Sequence, residues 1–521
     1  MSRRYLHVST DILPTPSEMD APSKSPFPLR WVLSAIVVVL VLALVAGVTV
    51  AVRGLSGGGS QPEDALPGGA IAFAKVDLDP PAGQKINAIR FLRKFPALKD
   101  KVGLNADLRE SLFEGMAEGA GWGDLSFDKD VAPWLGQRIG IAAYPGGDND
   151  APRMFGAAGN VVVALQVTDE AKARAGLERL SAASDVDSDP GVVVRDGYAL
   201  LAENQAAADQ AAKDAASGVL SADADFSSDL AALGDGVAMA WMNMDAMGSL
   251  AGLAGFGLLG VGGSSPGAKG TGGRTSYVVR FDGPDALEVR GASTGSSSLK
   301  APDTALHGFN ELPEDSRVAF GLAGGNKLVA GFFDSLRATI DDTGPGGPDG
   351  GFDGMVAEAE RELGIDLPDD LAVLLGSNFV AAMRDDQAGR SQLEVGARVT
   401  TDGPRAVALV DKINKATDAA GSDFPLERRL TDDGFVVASS TGQVDLLMKD
   451  GGLGDRDAVR KALPDLDGAT VALWVDIRNL MDGFMGDQTV NENLEPIEGL
   501  GVTAQVTDDG SATYRLRLVT R

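Results

Sequence analysis

Hydrophobic and polar residues alternate in several short segments of the chain, and this period of two predicts β-strands. Residues 277–281 and 287–289 alternate on either side of an Asp-Gly turn, which predicts a β-hairpin. Residues 502–506 and 514–518 repeat the same arrangement near the end of the chain. Residues 70–79, which are rich in small apolar side chains, predict a further strand.

Helical patterns lie between the strands. Residues 82–95 form one of them, and Pro96 ends it because proline lacks the backbone N–H that a helix needs. Residues 206–216 are so rich in alanine that they predict a second helix. Asp225 and Asp457 stand at the start of two further short helices, where a carboxylate can cap the backbone. Local hairpins with helices between them predict the α+β class, in which helices cover one face of a mainly antiparallel sheet.

The order of these elements is duplicated along the chain. The sequence of residues 130–136, DVAPWLG, recurs 240 positions later as DLAVLLG in residues 370–376. The strand around Trp241 matches the strand around Trp474 in the same way. The matches keep their order, while their spacing varies only between 232 and 240 residues. We therefore predict two tandem α+β repeats that differ by short loop insertions.

One segment of the chain is almost uniformly apolar and shows no alternation of polar and apolar residues. Residues 31–52 contain 22 residues without a charge, and Arg30 and Arg53 flank them. A helix of this length would measure about 33 Å, enough to cross a hydrocarbon core about 30 Å thick. We predict a transmembrane helix here, with a cleaved signal peptide as the alternative. More Lys and Arg residues precede the segment than directly follow it, so the amino terminus is expected in the cytoplasm and the bulk of the chain outside it.

These patterns divide the chain into six parts. The predicted parts are a disordered cytoplasmic tail (1–30), the transmembrane helix (31–52), a flexible tether (53–65), the first α+β repeat (66–293), a polar junction (294–310) and the second α+β repeat (311–521). Each repeat is long enough to bury a core of its own.

Composition and charge restrict the functions that such a chain can have. Of its 521 residues, 44% are hydrophobic and 23% are charged, which is typical of globular proteins. The formal net charge of −28 argues against binding of nucleic acid, because phosphates attract basic surfaces. The absence of cysteine excludes disulfides, thiolate nucleophiles and Cys-ligated zinc.

Three short segments near the start of the first predicted repeat resemble a family of known proteins. They are DLDPPAGQK (77–85), RFLRKFP (90–96) and PWLG (133–136). The family occurs in high-GC Gram-positive bacteria and is catalogued as domain of unknown function 3352. The resemblance implies a short tail, one membrane span and a duplicated extracytoplasmic region. It implies no catalytic residues.

Few residues suit catalysis or metal binding. His7 and His307 are the only histidines, so a Ser-His-Asp triad would need His307, which has no Gly-x-Ser-x-Gly motif beside it. The Asp-x-Asp sequences at 223–225 and 455–457 could hold a cation such as Ca²⁺, but helix capping is the simpler interpretation. We therefore predict no catalytic residue, no metal site and no cofactor, although a hydrolase that uses a carboxylate pair stays an alternative.

The helix predicted over residues 82–95 carries an unusual concentration of positive charge for so acidic a chain. Arg90, Arg93 and Lys94 lie within about 100° of one another on its surface, opposite an apolar face. We predict that these three residues contact an anionic surface, either anionic lipid or an acidic protein partner. The alternatives are a core-packed helix whose basic face is simply solvated and a basic face that neutralises acidic surface of the second repeat.

A second candidate contact lies in an insert, residues 248–273, which is too rich in glycine for a stable helix. Phe256, Leu258 and Leu259 in this insert are candidates for an apolar contact with lipid or with a partner. A disordered loop is the alternative.

Together these features predict a single-pass protein of the cell membrane with most of its chain extracytoplasmic. Its expected function is binding or scaffolding at the cell envelope rather than catalysis. The alternatives are a carboxylate-dependent hydrolase and a carrier of lipid or of a small ligand, which would need an apolar cavity within or between the repeats.

Overall fold

The fold is given by a computed structural model of the chain. It describes residues 59–78, 80–96, 109–110, 113, 117, 125–145, 153–154, 157–183, 190–247, 273–295, 301–343, 351–385, 393–419, 426–481 and 494–521. The predicted tail, the apolar segment 31–52 and most of the glycine-rich insert lie outside these described residues.

The described residues form seventeen strands, which pair in antiparallel fashion. The strands are β1 (Ala72–Asp77), β2 (Leu135–Pro145), β3 (Arg153–Met154), β4 (Ala157–Val167), β5 (Gly191–Arg195), β6 (Tyr198–Ala202), β7 (Ala238–Asn243), β8 (Arg274–Phe281), β9 (Ala286–Thr294), β10 (Val318–Ala323), β11 (Asn378–Asp385), β12 (Leu393–Thr400), β13 (Glu427–Leu430), β14 (Gly434–Ala438), β15 (Val471–Val475), β16 (Ile497–Val506) and β17 (Ala512–Thr520). Sixteen of them join in one sheet in the order β5-β6-β4-β2-β1-β7-β8-β9-β17-β16-β15-β10-β11-β12-β14-β13. The short β3 pairs only with β4.

Helices, most of them short, connect these strands. They are α1 (Pro62–Ala65), α2 (Ala82–Leu92), α3 (Glu170–Ala183), α4 (Gln205–Ser217), α5 (Ala224–Ala231), α6 (Met244–Met247), α7 (Gly325–Thr343), α8 (Gly351–Leu363), α9 (Asp369–Leu375), α10 (Gly403–Ala419), α11 (Thr441–Leu447), α12 (Asp457–Ala462) and α13 (Ile477–Met481).

The middle of the sheet is formed by β9 and β17, which lie at the ends of the first and of the second predicted repeat. Their register runs from Ala286 opposite Val519 to Ser293 opposite Ala512. Because the two backbones are hydrogen-bonded to each other, strands from both predicted repeats form one continuous sheet. From this pair the sheet continues through β8, β7 and β1 on one side and through β16, β15 and β10 on the other.

The predicted fold class is therefore wrong. The sequence predicted two tandem repeats, each with its own antiparallel sheet and helices on one face, and a transmembrane helix before them. The structure has one large antiparallel sheet instead, and its helices lie on both faces. Among the described residues, no helix combines the length and the apolar character needed to span a bilayer.

Helices cover both faces of the sheet. Successive side chains of one strand therefore lie in two different cores, one on each face. Face A, the side that carries Trp241 and Trp474, is covered by α1, α4, α5, α11 and α12. Face B, the side of Val279, is covered by α2, α3, α9 and α10, against which α7 and α8 pack. In β6, for example, Tyr198 is buried on face A and Ala199 on face B. Strands buried on both sides are apolar at successive positions rather than at alternate ones.

The chain enters the described fold at Gly59, inside the segment that the sequence predicted as a tether. Ala65 and Leu66, at the end of α1, are fully buried on face A. The Tyr198 hydroxyl donates a hydrogen bond to the backbone carbonyl of Ser60 (2.8 Å). The last residues of the predicted tether thus contribute to the core.

The segment 130–136, one of the two matching sequences, runs from the end of a short helix (Phe127–Val131) through a turn into the start of β2. Oδ2 of Asp130 accepts a hydrogen bond from the backbone N–H of Ser126 (3.0 Å). Oδ1 of Asp130 accepts another from Nε of Arg179 on α3 (3.0 Å). The aspartate thus fixes the turn and joins it to the next helix.

Asp370, in the matching segment, makes the corresponding contacts. Its Oδ2 accepts from the backbone N–H of Asp366 (2.9 Å), and its Oδ1 accepts from Nη2 of Arg405 on α10 (2.7 Å). Gly376 at the end of this segment has φ +59°, and a Cβ added there would lie 2.3 Å from the Thr400 carbonyl oxygen. Local structure therefore accounts for the recurring Asp and Gly of the two segments.

Candidate anionic-surface site

The basic helix predicted from the sequence is present as α2. It begins directly after Pro80 and Pro81, and proline suits a helix start because its missing N–H would have no helical partner there. Four residues of its inner side are buried against face B: Ala88, Ile89, Phe91 and Leu92. The ring centroid of Phe91 is 5.5 Å from that of Phe281. The Gln84 side chain also accepts a hydrogen bond from the Phe281 backbone N–H (2.7 Å), so the helix is fixed on β8.

The outer side of α2 exposes two basic residues and one apolar residue. Ile86, Arg90 and Arg93 are separated by four and three positions, so they lie along one side of the helical segment. Ile86 is 48% exposed, and Arg90 and Arg93 are exposed as well. We call these three residues the α2 stripe.

Lys94, the third predicted contact residue, has a different environment. Its ammonium group forms an ion pair with Asp285, in the turn between β8 and β9. It also donates a hydrogen bond to the Thr520 hydroxyl at the end of β17 (2.8 Å). The structure thus brings Arg90 and Arg93 together on the surface, while Lys94 joins α2 to the middle of the sheet.

The remaining candidate residues do not add to this site. Phe256, Leu258 and Leu259 lie outside the described residues. His307 is exposed, and its Nε2 is 3.4 Å from the Thr400 hydroxyl. Within the described part of the chain, no group of three or more His, Cys, Asp or Glu residues is arranged to hold a metal ion.

The carboxyl groups with a clearly shifted pKa are stabilised in their charged form. Burial alone would raise the pKa of Asp370, but the hydrogen bond from the Asp366 backbone and the Arg405 guanidinium outweigh it, so the pKa is lowered. A hydrogen bond from the Lys172 backbone lowers the pKa of Asp169. These shifts are opposite to the shift that a general acid requires.

Two open clefts in the described part of the structure have charged residues in their lining. One, of about 580 Å³, is bordered by Asp315, Lys449 and Arg456. The other, of about 340 Å³, is bordered by Arg280 and Asp282 at the end of β8. Sites that enclose lipids or drug-sized ligands are mainly apolar.

The sequence analysis missed a second basic group, at the middle of the sheet. Arg280, Arg290, Arg515 and Arg517 surround the carboxylate of Glu288. The signal in the sequence is alternation, because these arginines alternate with residues of the opposite face in β8, β9 and β17. Alternation places each arginine on one side of its own strand, but only the pairing of β9 with β17 brings them together.

The structure thus defines a three-layer protein with one antiparallel sheet and a basic helix at its surface. Residues 32–245 match the model of a family described as protein of unknown function (DUF3352). The match lies in the amino-terminal half of the chain and supports the resemblance noted in the sequence. None of the curated proteins compared with the chain matches it, and no solved structure does.

Proposed function

We propose that the protein is a binding or scaffolding protein of the cell envelope that contacts an anionic surface through the α2 stripe. The observation that carries this proposal is the exposure of Arg90 and Arg93 beside Ile86 on a helix whose other side is held in the core. A helix fixed in this way presents its side chains on an ordered backbone. Binding through it therefore loses less conformational entropy than binding through a loop that must first become ordered.

The charge distribution gives the α2 stripe a specific role. A chain with a net charge of −28 is repelled by anionic surfaces as a whole, so close approach needs a local basic region. Each Arg near an anionic membrane contributes about 1 kcal/mol of attraction. An apolar residue such as Ile86 can enter the boundary between headgroups and acyl chains. Since the attraction is electrostatic, binding should weaken as the salt concentration rises.

We further propose that the protein lies at the cell membrane, with most of its chain outside the cytoplasm, in the Gram-positive bacteria that the family resemblance implies. This proposal relies on the uncharged residues 31–52 and on the charges that flank them. Protease added to intact protoplasts that express the full chain should digest its carboxy-terminal part. Recovery of the undigested chain in the soluble cytoplasmic fraction would contradict this location.

Charge reversal on the α2 stripe tests the binding proposal. The variant Arg90→Glu with Arg93→Glu leaves Lys94 unchanged, because a carboxylate at position 94 would face Asp285. The full-length variant should bind vesicles that contain anionic lipid at least about thirtyfold more weakly than the wild type, since two attractive charges are lost. Flotation measures the binding of wild type and variant to anionic and to neutral vesicles. Residues 31–52 can contribute to binding of both lipids, so the comparison isolates the part that depends on anionic charge.

The matched control reverses two exposed basic residues elsewhere. Lys172→Glu with Arg174→Glu changes the net charge by the same amount on α3, where both side chains form exposed ion pairs. This variant should bind anionic vesicles almost as well as the wild type. Equal binding by the α2 variant and the wild type would contradict the proposal. If the variant instead binds vesicles normally but loses binding to an acidic protein, the anionic surface is that of a protein partner and not of a lipid membrane.

The two alternative functions stay predictions without a supporting observation. A hydrolase would need a carboxyl pair with raised pKa values in a cleft, whereas the pKa values of Asp169 and Asp370 are lowered. A lipid carrier would need an enclosed apolar cavity, whereas the two clefts described above are open and lined by charged residues.

A further inference from the structure

The second basic group lies on face A at the middle of the sheet. Arg280 belongs to β8, Arg290 and Glu288 belong to β9, and Arg515 and Arg517 belong to β17. We call these five residues the central arginine cluster. Because β9 and β17 lie more than two hundred residues apart in the chain, the cluster is assembled only where these two strands pair.

Each arginine of the cluster contacts the Glu288 carboxylate, mostly at the long end of the ion-pair range. Nη2 of Arg290 is 3.1 Å from Oε1, and Nε of Arg280 is 3.6 Å from the same oxygen. Nε of Arg515 and Nη1 of Arg517 are each 3.5 Å from Oε2. Glu288 is fully buried, so one enclosed carboxylate is the shared counter-ion of four guanidinium groups.

Several donors of the cluster have no hydrogen-bond acceptor. The Nε atoms of Arg280, Arg290 and Arg517 are buried and make no hydrogen bond, and the two carboxylate oxygens of Glu288 make none either. A buried charged donor without an acceptor destabilises the structure, and such groups are rare in folded proteins. One carboxylate thus holds four guanidinium groups mainly by charge and does not satisfy their hydrogen-bonding capacity, which favours a further ligand that supplies acceptor oxygens on their exposed side.

The register of the sheet also places like charges side by side. Arg290 and Arg515 are directly opposite in the β9–β17 pair, an arrangement that destabilises a sheet. Asp282 pairs with Arg517 (2.8 Å), and Asp465 pairs with Arg515 (2.6 Å). Together with the buried carboxylate these aspartates supply three negative charges against four positive ones. The four arginines therefore exceed the carboxylates that they pair with by one charge, and Asp235 also borders the cleft that Arg280 lines.

We propose that the central arginine cluster binds a phosphate group. The proposal goes beyond the contact made by the α2 stripe, because the cluster lies on the opposite face of the sheet. Guanidinium groups bind phosphate through paired N–H donors. A phosphate offers several acceptor oxygens and close to two negative charges, whereas one carboxylate offers two oxygens and a single charge. The N–H donors of the cluster come from three strands, so they match a phosphate, which has more acceptor oxygens, better than a carboxylate.

Solvent reaches the cluster from one side. The side chains of Arg290, Arg280 and Arg515 are 31%, 24% and 19% exposed. Glu288 is fully buried beneath them. Arg280 and Asp282 also border the open cleft of about 340 Å³. The phosphate binds on the outer side of the guanidinium groups, while Glu288 holds them from the inner side.

Equilibrium dialysis of the full-length protein against radiolabelled orthophosphate tests this proposal. Saturable binding is expected at constant ionic strength, and Arg290→Gln should weaken it about tenfold or more, because a charge-assisted hydrogen bond is lost. Arg428→Gln is the matched control, since it removes a similarly exposed arginine from the edge strand β13. This control should bind phosphate like the wild type.

Glu288→Gln distinguishes a binding site from a purely structural ion-pair group. Glutamine keeps the size of the side chain but removes the charge that competes with phosphate for the guanidinium groups. Phosphate should therefore bind this variant more tightly, by about threefold or more. If the cluster only holds β9 against β17, the substitution will lower the Tm without tightening phosphate binding.

Competition experiments identify the carrier of the phosphate group. Displacement of orthophosphate by glycerol phosphate indicates a small phosphorylated ligand, and displacement by vesicles with phosphatidic acid indicates a lipid headgroup. Binding of orthophosphate that neither competitor displaces indicates the free ion. The proposal is overturned if the wild type shows no saturable phosphate binding, or if Arg290→Gln and Glu288→Gln leave that binding unchanged.

Discussion

At the scale of residues, the structure shows why acidic positions recur at helix starts. Asp223, rather than the expected Asp225, caps α5 by accepting a hydrogen bond from the Phe226 backbone N–H (3.0 Å). Asp225 instead pairs with Arg274 (3.3 Å). Asp457 is the first residue of α12, and that helix has no side-chain cap. Both aspartates of an Asp-x-Asp sequence suit the positive end of a helix. The sequence alone therefore does not show which of the two caps the helix.

Asp370 gives the clearest prediction at this scale. Asp370→Asn should lower the free energy of unfolding by about 1–3 kcal/mol, because Arg405 loses its charged partner and the buried side chain bonds less well to the Asp366 backbone. Urea denaturation of the full-length variant measures the change. Asp369→Asn, at the exposed neighbouring position, is the control and should stay within about 0.5 kcal/mol of the wild type. Equal losses in the two variants would contradict the structural role of Asp370.

The same residue should make stability depend on pH. The pKa of Asp370 is lowered in the folded chain, so its contribution is present above the unfolded pKa of about 4 and is lost as the pH falls through the folded value. The stability difference between wild type and Asp370→Asn should therefore shrink between pH 5 and pH 2. A difference that stays constant over this range would show that the carboxylate charge is not responsible.

At the scale of elements, the sequence predicts structure that is local. The two hairpins predicted over residues 277–289 and 502–518 are present as β8–β9 and β16–β17, and the helix predicted over residues 82–95 contains α2. The pairing of β9 with β17 joins residues more than two hundred positions apart. No local sequence pattern specifies which distant strand pairs with the edge strand of a sheet. The sequence alone therefore did not distinguish one continuous sheet from two separate sheets.

The placement of helices on both faces has a similar explanation. β6 has the sequence YALLA, an apolar run without alternation, which is typical of a strand buried on both sides. Such a run also occurs in buried helices, so periodicity alone does not separate the two structures. The hairpins near the end of each predicted repeat alternate clearly, and extending their pattern to every strand led to the wrong prediction of one helical face.

The candidate site was predictable only in part, for the same physical reason. Helical periodicity placed Arg90, Arg93 and Lys94 on one side of a helix, and α2 confirms the helical position of Arg90. The partner of Lys94 is Asp285, which is 191 residues away. The central arginine cluster likewise collects single charges from three strands, so no segment of the sequence is noticeably basic there.

At the scale of the whole molecule, the junction of β9 with β17 assembles the central arginine cluster and gives α2 an additional contact. Lys94 connects α2 to Asp285 and to Thr520, on the two sides of this junction. The central arginine cluster is assembled across the same pair of strands. A molecule with two separate sheets would lack the central arginine cluster and the hydrogen bond from Lys94 to Thr520.

The pairing of β9 with β17 can be tested directly because the chain contains no cysteine. Ala292→Cys with Thr513→Cys places two thiols at directly opposite positions of these strands. Thr275→Cys with Thr513→Cys is the control, since β8 is separated from β17 by β9. Mild oxidation of each full-length variant, followed by mass spectrometry of its peptides, should show an intramolecular disulfide in the first variant and free thiols in the control. Free thiols in both variants would contradict the single continuous sheet.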